Sequence, residues 1–373
     1  MRIFPLVSLH SASAASPEGP FLSVSISPAI FDGHNDVLSR LFRAGGVTAA
    51  ESFLTGRDGH VDLEKAKAGG FGGGFFAVYI PSPVDLDAKF DEMTKPQYDL
   101  PLPEALDWED ALHVALTQAA ILFRLEELGA LKVCSSAAEI RGCLESGTIA
   151  AIFHIEGAEA IDPDLHALEV FHRAGLRSLG PVWSRPTIFG HGVPFRFPST
   201  GDIGPGLTDH GLRLVKRCDA LGIMLDLSHL NEAGFWDVAR HSTKPLVATH
   251  SNAHAICPHA RNLTDRQLAA IKDSDGIVGL NLAVAFLRDD GRMMDTGLDK
   301  VLRHLDHLIE HLGEERVGLG SDFDGAQIPS EIGTAAGLPK LRQAMAEHGY
   351  DDALMTRLCH DNWLRVLEKT WGA

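Results

Sequence analysis

Five short segments of this chain set imidazole and carboxylate side chains a few residues apart. FDGHND carries His34 and Asp36, HIEG carries Glu156, DLSH carries His229, ATHS carries His250, and GSDFDG carries Asp322 and Asp324. Neutral imidazole nitrogens and ionised carboxylate oxygens are together the ligand types of zinc and similar divalent ions. Taken one at a time, the segments say little. A lone His-x-Asp tripeptide is more often a turn than a ligand pair. A single histidine at a strand end is more often a hydrogen-bonded structural residue, and Glu156 could simply cap a helix. Their value lies in convergence. Gathering three carboxylates in a buried site without a cation carries a severe desolvation cost, so a metal centre is the chemistry these residues predict.

Short apolar runs bounded by Gly, Pro or Asp supply the elements that must bring them together. Strands are predicted at Ser27–Phe31, Gly74–Ile80, Ile149–Ile155 and Arg177–Val182. Four more follow at Ile223–Leu227, Pro245–Thr249, Ile277–Leu282 and Arg316–Gly320. Runs such as IAAIFHI and GIVGLNL are apolar without alternation, as in parallel strands covered on both faces. Between them lie helical stretches. Ser136…Glu139 and Thr264…Gln267 have capping-box spacing, and helices are expected within Leu102–Gly129, Leu298–Leu312 and Tyr350–Thr370. Eight alternations of strand and helix predict a (β/α)8 TIM barrel of the α/β class. A doubly wound open sheet alternates too, so the reactive residues must decide. All five segments fall at the C-terminal ends of predicted strands, the face on which barrel enzymes keep their sites. Residues i and i+2 of a strand share a side, so His34 and Asp36 can both reach inward. The chain 1–373 reads as one barrel domain, with 1–26 an N-terminal extension and the Pro-rich 81–104 a loop insertion.

Composition narrows the partners. The chain has 373 residues, 33 Lys+Arg against 50 Asp+Glu, and a formal net charge of −17. No basic stripe accompanies that excess, which argues against nucleic acid. A hydrophobic content of 45% and a charged content of 22% are ordinary for a globular enzyme. The five cysteines are scattered without a CxxC pair, so they predict buried reduced thiols instead of a disulfide framework or a thiolate zinc site. No apolar run reaches the length of a membrane span, the N-terminus is a poor signal peptide, and no lipid-anchor tail is seen. A cytoplasmic enzyme without a membrane anchor is expected. Three further signals are discounted. Gly69–Gly74 (GGFGGG) precedes a strand and is read as a turn, not a phosphate loop. No GxSxG elbow is present. His304, His307 and His311 have helical spacing and are read as solvated or paired residues of a surface helix.

FDGHND, HIEG, DLSH, THSNAHAICPHARNLTD and GLGSDFDG, in that order, resemble the renal (membrane) dipeptidase family of zinc peptidases, within the amidohydrolase-type barrels. The similarity runs from about Phe31 to the C-terminal helix. It implies two Zn2+ per chain and cleavage of small dipeptide substrates, including those with a D-residue at the C-terminal position. By matching motif, His34 and Asp36 would bind one zinc, His229 and His250 the other, and Glu156 would bridge them. Asp322 would touch the first zinc and shuttle the proton of a zinc-bridging hydroxide, whose formation near neutral pH is what paired zinc ions make accessible. Arg261 would clamp the substrate carboxylate through its bidentate fork. Family members usually carry a histidine after strand four. Here Trp183 stands there, with His191 of the next loop as a candidate substitute, and Asn281 stands near a place where the family often has an aromatic. Those departures put substrate range in question, so a metal-dependent amidase acting on N-acyl amino acids is the first alternative. A non-catalytic metal-binding barrel is the second. The reading is compatible with a homodimer.

Overall fold

The computed structural model describes residues 28–83 and 91–372. Eight parallel strands form the barrel wall. They are β1 (Ile30–Asn35), β2 (Phe71–Tyr79), β3 (Ala150–Glu156) and β4 (Leu176–Gly180). The second half is β5 (Met224–Leu225), β6 (Val247–Ala248), β7 (Ile277–Asn281) and β8 (Val317–Gly320). Each strand pairs with its sequence neighbours, and β1 pairs with β8. The circle closes between β5 and β6 through the single parallel bridge Asp226–Val247. All eight predicted strands are present, which settles the choice between closed barrel and open sheet.

Two boundaries shift for physical reasons. Ser27 and the extension 1–26 lie outside the described residues. β1 begins at Ile30 and runs through FDGHN, so His34 is part of the strand and does not follow it. GGFGGG is a turn only in its first part: Gly69 ends a helix and Gly70 caps it in a left-handed turn, whereas β2 starts at Phe71 and takes in Gly72, Gly73 and Gly74. A Cβ on Gly73, whose φ is +144°, would stand 2.1 Å from the Ala150 carbonyl oxygen. Glycine is therefore what lets β3 approach β2 at this level.

The helices between strands are capped as their sequences suggest. Thr264 and Gln267 form a reciprocal capping box at the start of Asp265–Asp273. Ser136 caps Ala137–Ser146 through the Glu139 amide, while the Glu139 carboxylate turns to the Ser135 amide instead. Within the 81–104 segment, a short strand Tyr98–Leu100 pairs antiparallel with Phe195–Phe197 of the loop after β4. Among the described residues no helix is long and apolar enough to cross a membrane. The five cysteines are free and buried, although Cys134 and Cys143 bring their sulfurs within 3.8 Å.

One expectation on the helices fails. His307 and His311 do lie at the surface beside Asp265, but His304 is fully buried. Its Nδ1 accepts from the Ala253 amide at 3.1 Å, which leaves Nε2–H to donate to the Leu287 carbonyl at 3.0 Å. His304 thus joins the loops after β6 and β7 to the helix Leu298–Leu312.

Candidate metal centre

His34 at the end of β1, Glu156 at the end of β3, His229 after β5 and His250 after β6 converge at the C-terminal mouth of the barrel, all buried. Glu156 Oε1 is the focus. It lies 3.1 Å from His229 Nε2, 3.3 Å from His250 Nε2 and 3.7 Å from His34 Nε2. Asp36 Oδ2 is 3.3 Å from His34 Nε2. Three buried ligand sets overlap here: His34/Asp36/Glu156 and Glu156/His229/His250, which share Glu156, and His34/Asp226/His250.

Hydrogen bonds behind the ligands decide which nitrogen faces inward. His229 Nδ1 is 2.8 Å from the Ser184 hydroxyl, and His250 Nδ1 is 2.8 Å from the Thr249 hydroxyl. Thr249 Oγ1 donates onward to the buried Asp226 carboxylate at 2.6 Å. With the Thr249 proton committed to Asp226, that oxygen accepts from His250 Nδ1–H, so Nε2 presents a lone pair. Burial keeps both imidazoles neutral by pushing them well below their ordinary range. The two Nε2 atoms stand 3.1 Å apart. Two lone pairs and a carboxylate oxygen in mutual contact are what a cation would hold together, so the donor set fits a divalent ion.

The charge balance says the same. Burial pulls His34 down, but Glu156, Asp36 and Asp322 outweigh it and hold it up to about 10. Burial pushes Glu156 well above the carboxylate range and Asp322 upward too. Glu156 and Asp322 are both penalised for carrying charge in a dry site beside other acids, a penalty that a bound cation would relieve.

Asp322 is held by backbone and side chain. Its φ of +59°, like the +68° of His229 and Asp324, is a left-handed conformation that a non-glycine residue adopts at a cost of about 1–3 kcal/mol. Asn281 Nδ2 donates to Asp322 Oδ2 at 2.9 Å. Gly325 completes the turn, and a Cβ there would lie 2.2 Å from Asp36 Oδ2 and 2.4 Å from Asp322 Oδ1. Asp324 points away from the ligands: its carboxylate takes Arg57 Nη1 at 2.7 Å and the His60 amide at 2.7 Å.

A cavity of about 380 Å³ opens over these groups. Asp36, Glu156, His229 and Asp322 form part of its floor, and Trp183, Tyr79, Phe195, Phe286, Met93 and Met293 part of its wall. Ser39, Arg40, Arg43 and His60 line it as well. Trp183 therefore faces the space where a substrate would sit. His191 is not among the lining residues and shows its backbone carbonyl to the Asn231 amide. Arg261 lies behind the lining, its guanidinium 5.4 Å from the Phe286 ring centre and one nitrogen 3.3 Å from the His250 carbonyl. Burial lowers it to about 10, so it stays a cation at neutral pH, and its buried Nε has no hydrogen-bond partner. Asn281 is a buried support of Asp322, not a wall of the cavity. Sequence reasoning passed over Asp226, Thr249 and Ser184, which set the histidine tautomers, and the basic residues Arg40, Arg43 and His60.

Known proteins resemble this chain over most of its length. The family model described as membrane dipeptidase (peptidase family M19) matches residues 23–371. The crystal structure of a metallo peptidase from Rhodobacter sphaeroides, liganded with a phosphinate mimic of L-Ala-D-Ala, is 57% identical with a TM-score of 0.91. That match covers 92% of this chain and 100% of the other. An uncharacterized protein encoded 5′ of pqqA in Klebsiella pneumoniae is 49% identical over 265 residues, 70% of this chain and 98% of the relative. The dipeptidase verJ of Clonostachys rogersoniana is 28% identical over 343 residues, 91% of this chain and 83% of the relative.

Proposed function

We propose that this chain, which belongs to the membrane dipeptidase family (peptidase family M19), hydrolyses dipeptides, D-residues at the C-terminal position included, at a site built for two zinc ions. The metallo-dipeptidase class follows from the family. The observation that supports two ions is the pair of ligand sets meeting at one carboxylate, Glu156. In this reading His34 and Asp36 would hold one ion and His229 and His250 the other, with Glu156 available to both. When bound, such ions polarise the scissile carbonyl and lower the pKa of water toward neutrality.

The remaining work falls to the chain itself. Asp322 sits against the ligands with one carboxylate oxygen tied to Asn281, so its position is fixed before substrate arrives. It takes the proton from the attacking water and returns it to the leaving amine, a transfer that needs a carboxylate within hydrogen-bond reach. Arg261, buried and with an unpartnered Nε, clamps the carboxylate at the C-terminal end of the substrate and so limits its length. Trp183 occupies the wall over His229 in place of the family's usual histidine.

The test is a panel of L,L and L,D dipeptides beside N-acyl amino acids, assayed on zinc-loaded enzyme with and without chelator. Chelator-sensitive release of free amino acids from dipeptides is expected. Turnover of acyl amino acids alone would replace this reading with the amidase, and zinc bound without any hydrolysis would replace it with a non-catalytic barrel.

A further inference from the structure

The two sides of the cavity differ in chemistry. Around Phe195 and Phe286 it is apolar, with Arg261 behind it after β6. On the β1 side it is lined by Arg40, Arg43, His60 and Ser39, beside the carboxylates of Asp36 and the Arg57-paired Asp324. Arg40 and Arg43 come from the helix Val37–Arg43 that directly follows β1. Among the described residues neither arginine has a carboxylate partner.

The neighbouring Arg57, by contrast, pairs with Asp324 and also donates to the Val61 carbonyl at 2.7 Å. Arg40 is positioned differently. Its Nε donates to the Asp324 carbonyl at 2.8 Å, which aims the group and leaves both terminal nitrogens unused. The Arg43 side chain makes no hydrogen bond among the described residues and stands exposed at the rim. His60 is oriented as well. Its Nδ1 accepts from the Asp324 amide at 2.8 Å, so the ring's remaining donor is Nε2–H. Three donor groups thus line one side of the cavity, Arg40 and His60 tied to the Asp324 backbone and Arg43 carried by the helix after β1.

A forked guanidinium with free terminal nitrogens matches a carboxylate. The substrate's own terminal carboxylate belongs to Arg261 across the metal ligands, so the anion on the β1 side is a second one. We propose that this enzyme prefers dipeptides whose N-terminal residue is aspartate or glutamate, with Arg40, Arg43 and His60 binding that side-chain carboxylate. The inference rests on the dipeptidase reading and on Arg261 as the terminal clamp.

The experiment compares kcat/KM for L-Glu-L-Ala with its neutral isostere L-Gln-L-Ala, and L-Asp-L-Ala with L-Asn-L-Ala, on zinc-loaded wild type, Arg43→Gln and Arg40→Gln. Charge-assisted pairing is strong enough to favour the acid by roughly tenfold or more. That ratio should fall toward 1 in Arg43→Gln, which disturbs no internal contact, and in Arg40→Gln, mainly through KM. Wild-type turnover with the amides equal to or better than the acids would overturn the inference and leave the dipeptidase reading standing. A loss in the variants that strikes acid and amide equally would also overturn it, because the arginines would then hold the terminal carboxylate. Turnover of no dipeptide would overturn both.

Discussion

Replacing His304 by glutamine tests whether a buried neutral imidazole ties the loops after β6 and β7 to the barrel. Burial lowers His304 from 6.5 to about 4. The folded chain therefore resists a proton that the unfolded chain accepts below pH 6.5. Stability from this group is fully present above pH 6.5 and drains away as pH falls toward 4. The difference of about 2.5 pH units corresponds to about 3 kcal/mol over that window. Glutamine does not titrate, but its amide cannot satisfy both the Ala253 amide and the Leu287 carbonyl, which the ring reaches from opposite sides. One buried group left unpaired costs about 1–3 kcal/mol. At pH 7.5 the variant should be less stable by about that amount, and by pH 4.5 the gap should close or reverse. Urea unfolding followed by tryptophan fluorescence at several pH values gives the difference, with chelator in every sample to remove metal binding from the comparison. A gap that stays constant from pH 7.5 to 4.5 would refute the reasoning.

Three other outcomes are expected. Asp322→Asn should lower kcat by about 10²-fold or more while the zinc content measured by elemental analysis stays near that of the wild type. Thr249→Val removes the acceptor that fixes His250 and strips Asp226 of a proton donor; zinc affinity should drop about 10- to 100-fold in a competition titration with a chromogenic chelator. Gly325→Ala would push a methyl group against Asp36 and Asp322, so activity and metal content should both fall; full activity would show that the turn yields freely.

The barrel was legible because parallel strands covered on both faces are written as unbroken apolar runs, which stand out against their polar ends. Those same ends carry His34, Glu156, His229 and His250, so fold and ligand set came from one signal. What stayed hidden depends on register between strands. Nothing local to DLSH or ATHS says that Asp226 reaches the Thr249 hydroxyl, since that contact exists only once β5 and β6 lie side by side. His304 was misread although a signal existed. Val301, Leu305 and Leu308 are buried on its helix, and position 304 lies on the same stripe, so the helical period marked it as interior. The strand part of GGFGGG was misread for the opposite reason. Glycine in a strand usually weakens it, but here it admits a neighbouring backbone.

The seam between β5 and β6 has a consequence for assembly. Those strands are two residues long each and meet at one bridge, so the wall has little backbone pairing there and leans on the side chains of Asp226 and Ser228 to reach across. His229 follows one strand and His250 the other, and an ion held by both, as proposed above, would span the gap like a clasp. Removing it would withdraw a cross-link where the hoop is thinnest, and amide exchange should quicken at β5 and β6 before it does at β2 and β3, whose pairing extends over seven residue pairs.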